Sequence, residues 1–218
     1  MAITCVDGVG AFDHVLRARL FEELLRHPTL QNLVPHVRLW YGRRSRFVWT
    51  DDRGDAHLVE QGEGGEQGDP LMPGLFSLAI KPALDATQRE LLDGEAVFAY
   101  LDDVYLLTRP DRARTVLDIL SRNLQELCGI SVNQGKLHSW SRSGGAAPPD
   151  LAALDTPDHT VWRSDMAPAD NGSTVVGTPI GCDDYVRGAV QSKVVEQQSF
   201  TRAIMALPSS QVSWLLFL

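Results

Sequence analysis

Cysteine is scarce in this chain, and its few residues give no disulfide framework. Cys5, Cys128 and Cys182 are odd in number and far apart in the sequence. Domains stabilised by disulfides carry many paired cysteines, so this pattern favours a reducing compartment. None of the six histidines lies at metal-ligand spacing from a cysteine, which argues against a zinc site.

Long apolar runs are missing as well. The chain has 218 residues, of which 44% are hydrophobic and 22% charged, as in an ordinary folded domain. No apolar stretch reaches the ~20 residues that a membrane-spanning helix needs. Residues 1–5 lack the basic start and the apolar stretch of a secretory signal. We therefore expect an intracellular protein, nuclear or cytoplasmic, without a membrane partner.

Basic residues are the third deficit. Lys and Arg number 20 against 28 Asp and Glu, so the net charge is −8. Phosphate backbones select for basic surfaces, and this balance counts against a nucleic-acid partner. The total decides little, however, because binding depends on how the charge is distributed. The tight basic cluster of Arg43, Arg44 and Arg46 fits a backbone contact and, at least as well, a solvated turn.

The order of hydrophobic patterns predicts a mixed domain of sheet and helices. Strands are expected at 1–7, 45–50, 56–61, 97–101, 104–108, 130–132, 136–140 and 174–180. Helices are expected at 14–26, 30–40, 71–92, 115–127 and 185–207, with Asp13 as a cap, Pro35 as a kink and Gly129 as a stop. The irregular alternation favours an α/β or α+β sheet with helices on one face. Residues 141–150 are rich in Ser, Gly, Ala and Pro, which predicts a loop or linker.

Three aspartates can meet at one edge of the expected sheet. Asp7 ends the first strand, and Asp102 and Asp103 form the tip of a hairpin. Carboxylates so close repel one another unless a cation neutralises them. Magnesium prefers such oxygen ligands, and two ions ~3.5–4 Å apart can activate a hydroxyl and stabilise a leaving pyrophosphate. Taken singly, each aspartate is better explained as part of a solvated turn or as a cap.

Four short blocks in a fixed order favour the chemical interpretation. Residues 5–13 end in Ala-Phe-Asp, residues 65–73 contain Gln-Gly-x-Pro, residues 100–103 are Tyr-Leu-Asp-Asp, and residues 129–136 run from Gly through Asn to Lys. They resemble the successive palm motifs of reverse transcriptases, and residues 175–181 resemble the hairpin that grips the primer. The style is closest to retroelements without long terminal repeats and to group II intron enzymes. The order of all the blocks is the specific signal, because Tyr-x-Asp-Asp alone is weak.

The resemblance implies a role for each matching residue. Asp7 and Asp102 would bridge two Mg²⁺ ions with Asp103 in support, and Lys136 would protonate the leaving pyrophosphate or hold its charge. The nucleotide and template site would comprise Gly8, Phe12, Gln67, Gly68, Pro70 and Tyr100. The primer grip would include Gly177 and Gly181. The ring of Phe12 would clash with a 2′-hydroxyl and so favour deoxynucleotides.

Plainer interpretations remain open for several of these residues. Phe12 suits core packing, Tyr100 suits a strand face, and Lys136 suits an exposed surface. The glycine-rich loop at 62–70 suits a simple flexible connection.

By resemblance, the fold class is α+β: a polymerase palm with a ferredoxin-like antiparallel sheet and helices on one face. We expect the palm over residues 1–140, a loop or linker over 141–172, and a primer-grip hairpin with the start of a helical thumb-like segment over 173–218. The positions of the motifs lead us to expect that the fingers region is missing and the thumb truncated.

The implied function is RNA-directed DNA synthesis in a retroelement, with an RNA template, a DNA primer and deoxynucleoside triphosphates as partners. A catalytically inactive palm remnant that binds nucleic acid or a protein is the rival in another class. An RNA-synthesising polymerase or a nucleotide cyclase with a related palm is a third possibility, against which Phe12 and the Gln-Gly-x-Pro block speak.

Overall fold

A computed structural model describes residues 1–66 and 68–208. The strands in this part are β1 Ala2–Val6, β2 Ser45–Thr50, β3 Ala56–Gln61, β4 Ala96–Tyr100, β5 Asp103–Thr108, β6 His138–Ser141, β7 Gly172–Val175 and β8 Thr178–Gly181. The α-helices are α1 Ala11–His14, α2 Arg17–Arg26, α3 Val34–Tyr41, α4 Met72–Glu90, α5 Ala113–Cys128, α6 Pro149–Ala152 and α7 Asp183–Met205.

The central sheet has four antiparallel strands in the order β4-β5-β1-β6. Along the chain, α4 lies between β1 and β4, and α5 lies between β5 and β6. This βαββαβ arrangement is the ferredoxin-like one. The predicted α+β palm fold is therefore confirmed.

The core forms where α4 and α5 pack on each other and on the sheet. Leu106 of β5 is fully buried, as are the α5 residues Val116 and Leu120. These α5 positions recur at helical spacing, which is why one face of the helix is covered. The helix ends where predicted, because Gly129 adopts φ 74 and its N–H donates to the carbonyl of Gln125 at 3.1 Å.

Three details of the helices differ from the sequence-based expectation. The helix expected over 14–26 is broken into α1 and α2, because Val15 turns to an extended ψ of 129° and is buried. Asp13 lies inside α1 and makes no cap, and the N-cap is Gly10 in the left-handed region. Pro35 stands in the first turn of α3, where proline is tolerated, instead of kinking the helix.

Residues 141–172 contain little regular structure apart from α6, yet they contribute to the core. Leu151, Val161 and Trp162 are buried, and the indole N–H of Trp162 donates to the carbonyl of Gly145 at 2.9 Å. These apolar residues follow no helical or strand period, so composition alone shows a loop and not its burial. The division of the chain into domains stays a prediction.

Two small hairpins complete the described part. The β2–β3 pair is a sheet of its own, and most of its side chains are exposed. The β7–β8 pair lies against the central sheet, where Cys5 Sγ and Ser173 Oγ are 3.1 Å apart. No helix in residues 1–66 and 68–208 combines the length and the apolar character that crossing a membrane requires.

Candidate active site at the edge of the sheet

The strand register places two of the three candidate aspartates side by side. In the antiparallel pair of β1 and β5, Val6 lies opposite Val104. Asp7 directly follows Val6, and Asp103 directly precedes Val104. Continuing the same register by one residue therefore sets Asp7 beside Asp103 at the edge of the sheet.

Asp102 projects from the turn that joins β4 to β5. Tyr100 pairs with Asp103, which leaves Leu101 and Asp102 as a two-residue turn. Leu101 has φ 57, and a positive φ at the first central residue alone is the type II′ pattern, where glycine is usual. A leucine there costs about 1–2 kcal/mol. Such strain is often found at functional sites, and here it presents an exposed Asp102 at the tip.

Lys136 reaches the same edge from the segment after α5. Its Nζ lies 2.6 Å from Oδ2 of Asp7. Hydrogen bonding and charge from Asp7 raise the pKa of Lys136, with further contributions from the charges of Asp102 and Asp103. The backbone N–H of Asn133 donates to the carbonyl of Asp7 at 2.8 Å, and this bond holds the block that carries Lys136.

The aspartates suit a divalent cation in charge and in ligand type. Within the described residues, no three His, Cys, Asp or Glu side chains form a ready-made metal cluster. A cation is nevertheless present at the position, since the ammonium of Lys136 contacts Asp7 and interacts with all three carboxylates. The carboxylates therefore match a divalent cation in charge and ligand type, while in this arrangement the ammonium of Lys136 supplies the positive charge beside Asp7.

Two cavities flank the edge. One of about 260 Å³ is lined by Asp7, Asp103 and Lys136, together with Tyr105 and His138. The other, of about 500 Å³, is lined by Phe12, Gly68, Pro70 and Asp102, together with Glu66, Asp69, Met72 and Pro73. The β4–β5 hairpin therefore contributes one aspartate to each side, Asp103 from β5 and Asp102 from the turn.

Phe12 both packs and lines the second cavity. Its ring stacks on Phe76 of α4 with centroids 4.4 Å apart, and it is only partly buried. Core packing and a position in the cleft are thus compatible. Gly68 has φ 101 and open space around it, whereas Gln67 lies outside the described residues.

Gly8 has a structural reason to be glycine. Gly8 forms an isolated antiparallel β-bridge with Val132, and a Cβ at this position would lie 2.8 Å from the side chain of Ile130. The close approach of these backbones brings the Lys136 block to Asp7.

The β7–β8 hairpin is tied to the site through Tyr105. The Tyr105 hydroxyl accepts a hydrogen bond from the N–H of Val176 at 2.9 Å. Burial raises the pKa of Tyr105, and the nearby Asp103 raises it further. Val176 and Gly177 have φ 47 and 76, the two positive values of a type I′ turn.

The other residues expected near the primer also lie on this side. Tyr100 is exposed and lines an apolar groove of about 310 Å³ with Tyr105, Val175 and Val176. Gly181, in contrast, sits where a Cβ would lie 2.6 Å from the carbonyl oxygen of Asn171. The structure therefore places Gly181 in the packing of the hairpin and Tyr100 on an open surface.

Three residues near the site were not among the candidate site residues predicted from the sequence: Arg17, Tyr41 and Tyr105. Arg17 and Tyr41 are buried beside the 62–70 loop, but they stand in helical patterns that resemble any surface helix. Tyr105 could have been found, because it lies two residues after Asp103 and strand alternation puts both on one face.

A sequence profile of the family described as reverse transcriptase (RNA-dependent DNA polymerase) matches residues 2–183. No curated protein sequence matches the chain significantly.

Solved structures of Candida telomerases share the fold. Apo telomerase from Candida tropicalis, truncated from its C-terminal domain, is 16% identical with a TM-score of 0.53, and the match covers 84% of this chain and 34% of that one. Telomerase from Candida albicans with a TWJ fragment of telomeric RNA is 15% identical with a TM-score of 0.53, over 84% and 29% of the two chains. The corresponding Candida tropicalis complex is 14% identical with a TM-score of 0.56, again over 84% and 29%.

This chain thus spans about a third of the length of these telomerases, and at such identity the likeness concerns the fold. Family membership rests on the sequence profile, which extends over most of the chain. The chain belongs to the reverse transcriptase (RNA-dependent DNA polymerase) family.

Proposed function

We propose that this chain is the palm of a retroelement's RNA-directed DNA polymerase, and that it extends a DNA primer on an RNA template. The observation that carries the proposal is the β1–β5 register, which sets Asp7 beside Asp103 where Lys136 also arrives. The remaining aspartate, Asp102, borders the Phe12 cleft from the same turn.

Enzymes of this family use divalent metal ions, and we assign two Mg²⁺ ions to Asp7, Asp102 and Asp103. When bound, the ions would activate the primer hydroxyl and stabilise the charge of the leaving pyrophosphate. Asp7 and Asp102 would be the main residues holding the ions, and Asp103 would support them. The carbonyl of Gly8 is a further candidate ligand.

Lys136 is proposed to act on the leaving pyrophosphate. A lysine ammonium is protonated at neutral pH, and the contact with Asp7 favours the charged form further by raising the pKa of Lys136. The ammonium can therefore hold phosphate charge, and it becomes a better proton donor once it has left Asp7. Its side chain is two-thirds exposed and is therefore free to leave Asp7.

The cleft beside Asp102 is the proposed nucleotide site. Phe12 presents its ring there, and the stacking on Phe76 fixes the position of that ring. A ring held in place would exclude a ribose 2′-hydroxyl. The proposed contacts to the nucleotide and template base are Gly68 and Pro70, which line this cleft, and Gln67, which lies outside the described residues.

RNA and DNA strands are the proposed macromolecular partners. Two of the Candida telomerase structures contain a TWJ fragment of telomeric RNA, which supports a nucleic-acid partner for a chain of the same fold. Tyr100 and the β7–β8 turn with Gly177 are the proposed contacts to the primer end, and Gly181 shapes that hairpin.

Primer extension on an RNA template with Mg²⁺ tests the proposal. Deoxy- and ribonucleotides are offered separately to the wild type, to Asp102→Asn and to Asp111→Asn, a matched exposed aspartate that pairs with Arg109. We expect deoxynucleotide incorporation by the wild type and by Asp111→Asn, and none by Asp102→Asn. Incorporation that survives Asp102→Asn would overturn the metal assignment.

Two further outcomes address the rivals. A wild type that binds primer and template but incorporates nothing would support the inactive palm remnant. A preference for ribonucleotides would support an RNA-synthesising enzyme. Phe12→Val is expected to raise ribonucleotide use roughly ten-fold or more, the effect of removing a steric block.

A further inference from the structure

The 62–70 loop, which carries the proposed nucleotide contacts, is held at both ends by one packed pair of side chains. At the first end, Arg17 Nε donates to the carbonyl of Gly64 at 2.8 Å. At the other end, the Tyr41 hydroxyl donates to Oδ2 of Asp69. The guanidinium of Arg17 lies over the Tyr41 ring, 5.3 Å from its centroid, so the two contacts form one unit.

Arg17 is unusual because an arginine side chain is rarely almost fully buried, and a buried charge needs hydrogen-bond partners. It is 5% exposed, and two further N–H groups of its guanidinium donate to the carbonyl of Arg43 at 2.6 Å and to Oγ of Ser45 at 2.9 Å. Its backbone N–H donates to the carboxylate of Glu63 at 2.7 Å. These partners belong to the loop, to the segment before β2 and to the first residue of β2, so the buried cation joins the loop to the start of the β2–β3 hairpin.

Tyr41 acts on the second end through Asp69. The other oxygen of Asp69 accepts a hydrogen bond from the N–H of Leu71 at 2.8 Å, just before α4 begins. The Tyr41 oxygen in turn accepts from the N–H of Glu66 at 3.5 Å. Burial and the bond to Asp69 raise the pKa of Tyr41 to about 12, so its hydroxyl stays a donor at any physiological pH.

Between and beside the held ends, the loop residues Glu66, Gly68 and Pro70 line the cleft. The N–H groups of Gly64 and Gly65 donate to the carbonyls of Val15 and Phe12, at 2.8 and 2.9 Å. Gly68 and Asp69 line the cleft together with Phe12. A shift at either end would therefore move the loop relative to the Phe12 ring.

We propose that Arg17 and Tyr41 are positioning residues for the incoming deoxynucleoside triphosphate, acting through the 62–70 loop without touching the substrate. The proposal rests on the polymerase function proposed above. Loss of one hydrogen bond at a loop end then weakens nucleotide binding about ten-fold, the usual effect for a bond to a charged group.

The test compares Tyr41→Phe and Arg17→Lys with Arg112→Lys. Phe keeps the ring under the guanidinium and removes only the hydroxyl. Arg112 makes a partly buried ion pair with the buried Glu95, at the end of the β4–β5 hairpin far from Asp102. We expect the first two variants to raise the KM for deoxynucleotides about ten-fold with kcat within about two-fold, and Arg112→Lys to lower Tm with an unchanged KM.

A purely structural role would instead lower Tm and kcat together and leave KM unchanged, and that result would overturn the proposal. Hydrogen exchange of the amides over 64–71 gives a readout that needs no catalysis. Faster exchange there in Tyr41→Phe and Arg17→Lys, but not in Arg112→Lys, is the expected result. Unchanged exchange overturns the proposal even in an inactive chain, whereas an inactive wild type overturns only the polymerase function.

Discussion

Two hairpins of this chain carry an Asp-Asp dipeptide at the turn: Asp51-Asp52 between β2 and β3, and Asp102-Asp103 between β4 and β5. The two pairs have different partners. In the β2–β3 hairpin, Asp51 accepts hydrogen bonds from the N–H of Arg53 at 2.9 Å and of Asp55 at 3.0 Å, and it pairs with His57 at 3.0 Å. All three partners lie in the same hairpin. In the β4–β5 hairpin, the Asp102-Asp103 pair is placed instead beside residues from distant parts of the chain.

The difference lies in what each hairpin pairs with. The β2–β3 hairpin is a two-stranded sheet, and its apolar side chains Val48, Trp49 and Leu58 are mostly exposed. In contrast, β5 pairs with β1 as well as with β4, so Asp7 and the segment of Lys136 reach its turn. The strand beside an Asp-Asp pair therefore decides whether the pair caps its own turn or joins residues from elsewhere in the chain, as at the proposed active site.

The largest effect is expected from removing the carboxylate that β1 supplies. Asp7→Asn leaves the β4–β5 hairpin intact but should lower nucleotide incorporation about a thousand-fold, because a metal ligand contributes several kcal/mol to the transition state. Asp51→Asn is the matched change in the other hairpin and should leave incorporation unchanged. Primer extension measures incorporation by both variants. Equal losses in Asp7→Asn and Asp51→Asn would contradict the claim that only the β4–β5 turn belongs to the active site.

The two hairpins differ in how deeply their leucines are buried, and this difference predicts the next largest effect, on the free energy of unfolding. Leu106 in β5 is fully buried, whereas Leu58 in β3 is 62% exposed. Leu106→Ala should lower the free energy of unfolding by about 3 kcal/mol, and Leu58→Ala by less than about 0.5 kcal/mol. Urea unfolding compares the two variants. A large loss with Leu58→Ala would mean that another surface covers β3 in solution.

A smaller difference in nucleotide incorporation is expected from breaking one ion pair in each region. Lys136 joins Asp7 across the chain at 2.6 Å, whereas Arg46 pairs with Glu60 within its own hairpin at 2.9 Å. Lys136→Met should lower single-turnover incorporation roughly ten- to a hundred-fold, because the proposed proton donor is lost. Arg46→Met should change it less than about two-fold, since exposed ion pairs contribute little. Equal effects would refute the role given to Lys136.

The smallest effect concerns the pH dependence of the local cap. The bond from His57, followed by the backbone bond from Asp55, holds the pKa of Asp51 below its usual value. A lowered folded pKa means that the stabilisation is complete above the ordinary aspartate pKa of about 4 and is lost as the pH falls through the lower folded value. The stability difference between wild type and Asp51→Asn should therefore be present at pH 6 and shrink below pH 4, as measured by urea unfolding at each pH. A difference that grows towards low pH would contradict this account of Asp51.

Much of the fold could be predicted because its signals are local. Both hairpins follow from alternating apolar residues and turn residues, and β2 and β3 have the predicted bounds. The end of α5 at Gly129 follows from a glycine after an amphipathic helix. The break between α1 and α2 could not be predicted in this way, because Val15 leaves the helix in order to be buried.

The amino-acid sequence by itself determined the order of the motifs, and with it the family and the aspartates that are candidates for the site. Only the tertiary structure decided which of these residues meet, that Lys136 contacts Asp7, and that Arg17 and Tyr41 hold the ends of the 62–70 loop. The physical reason is that turns and helix ends are set by neighbours in the chain, whereas these contacts depend on strand register and on the burial of a cation between distant segments.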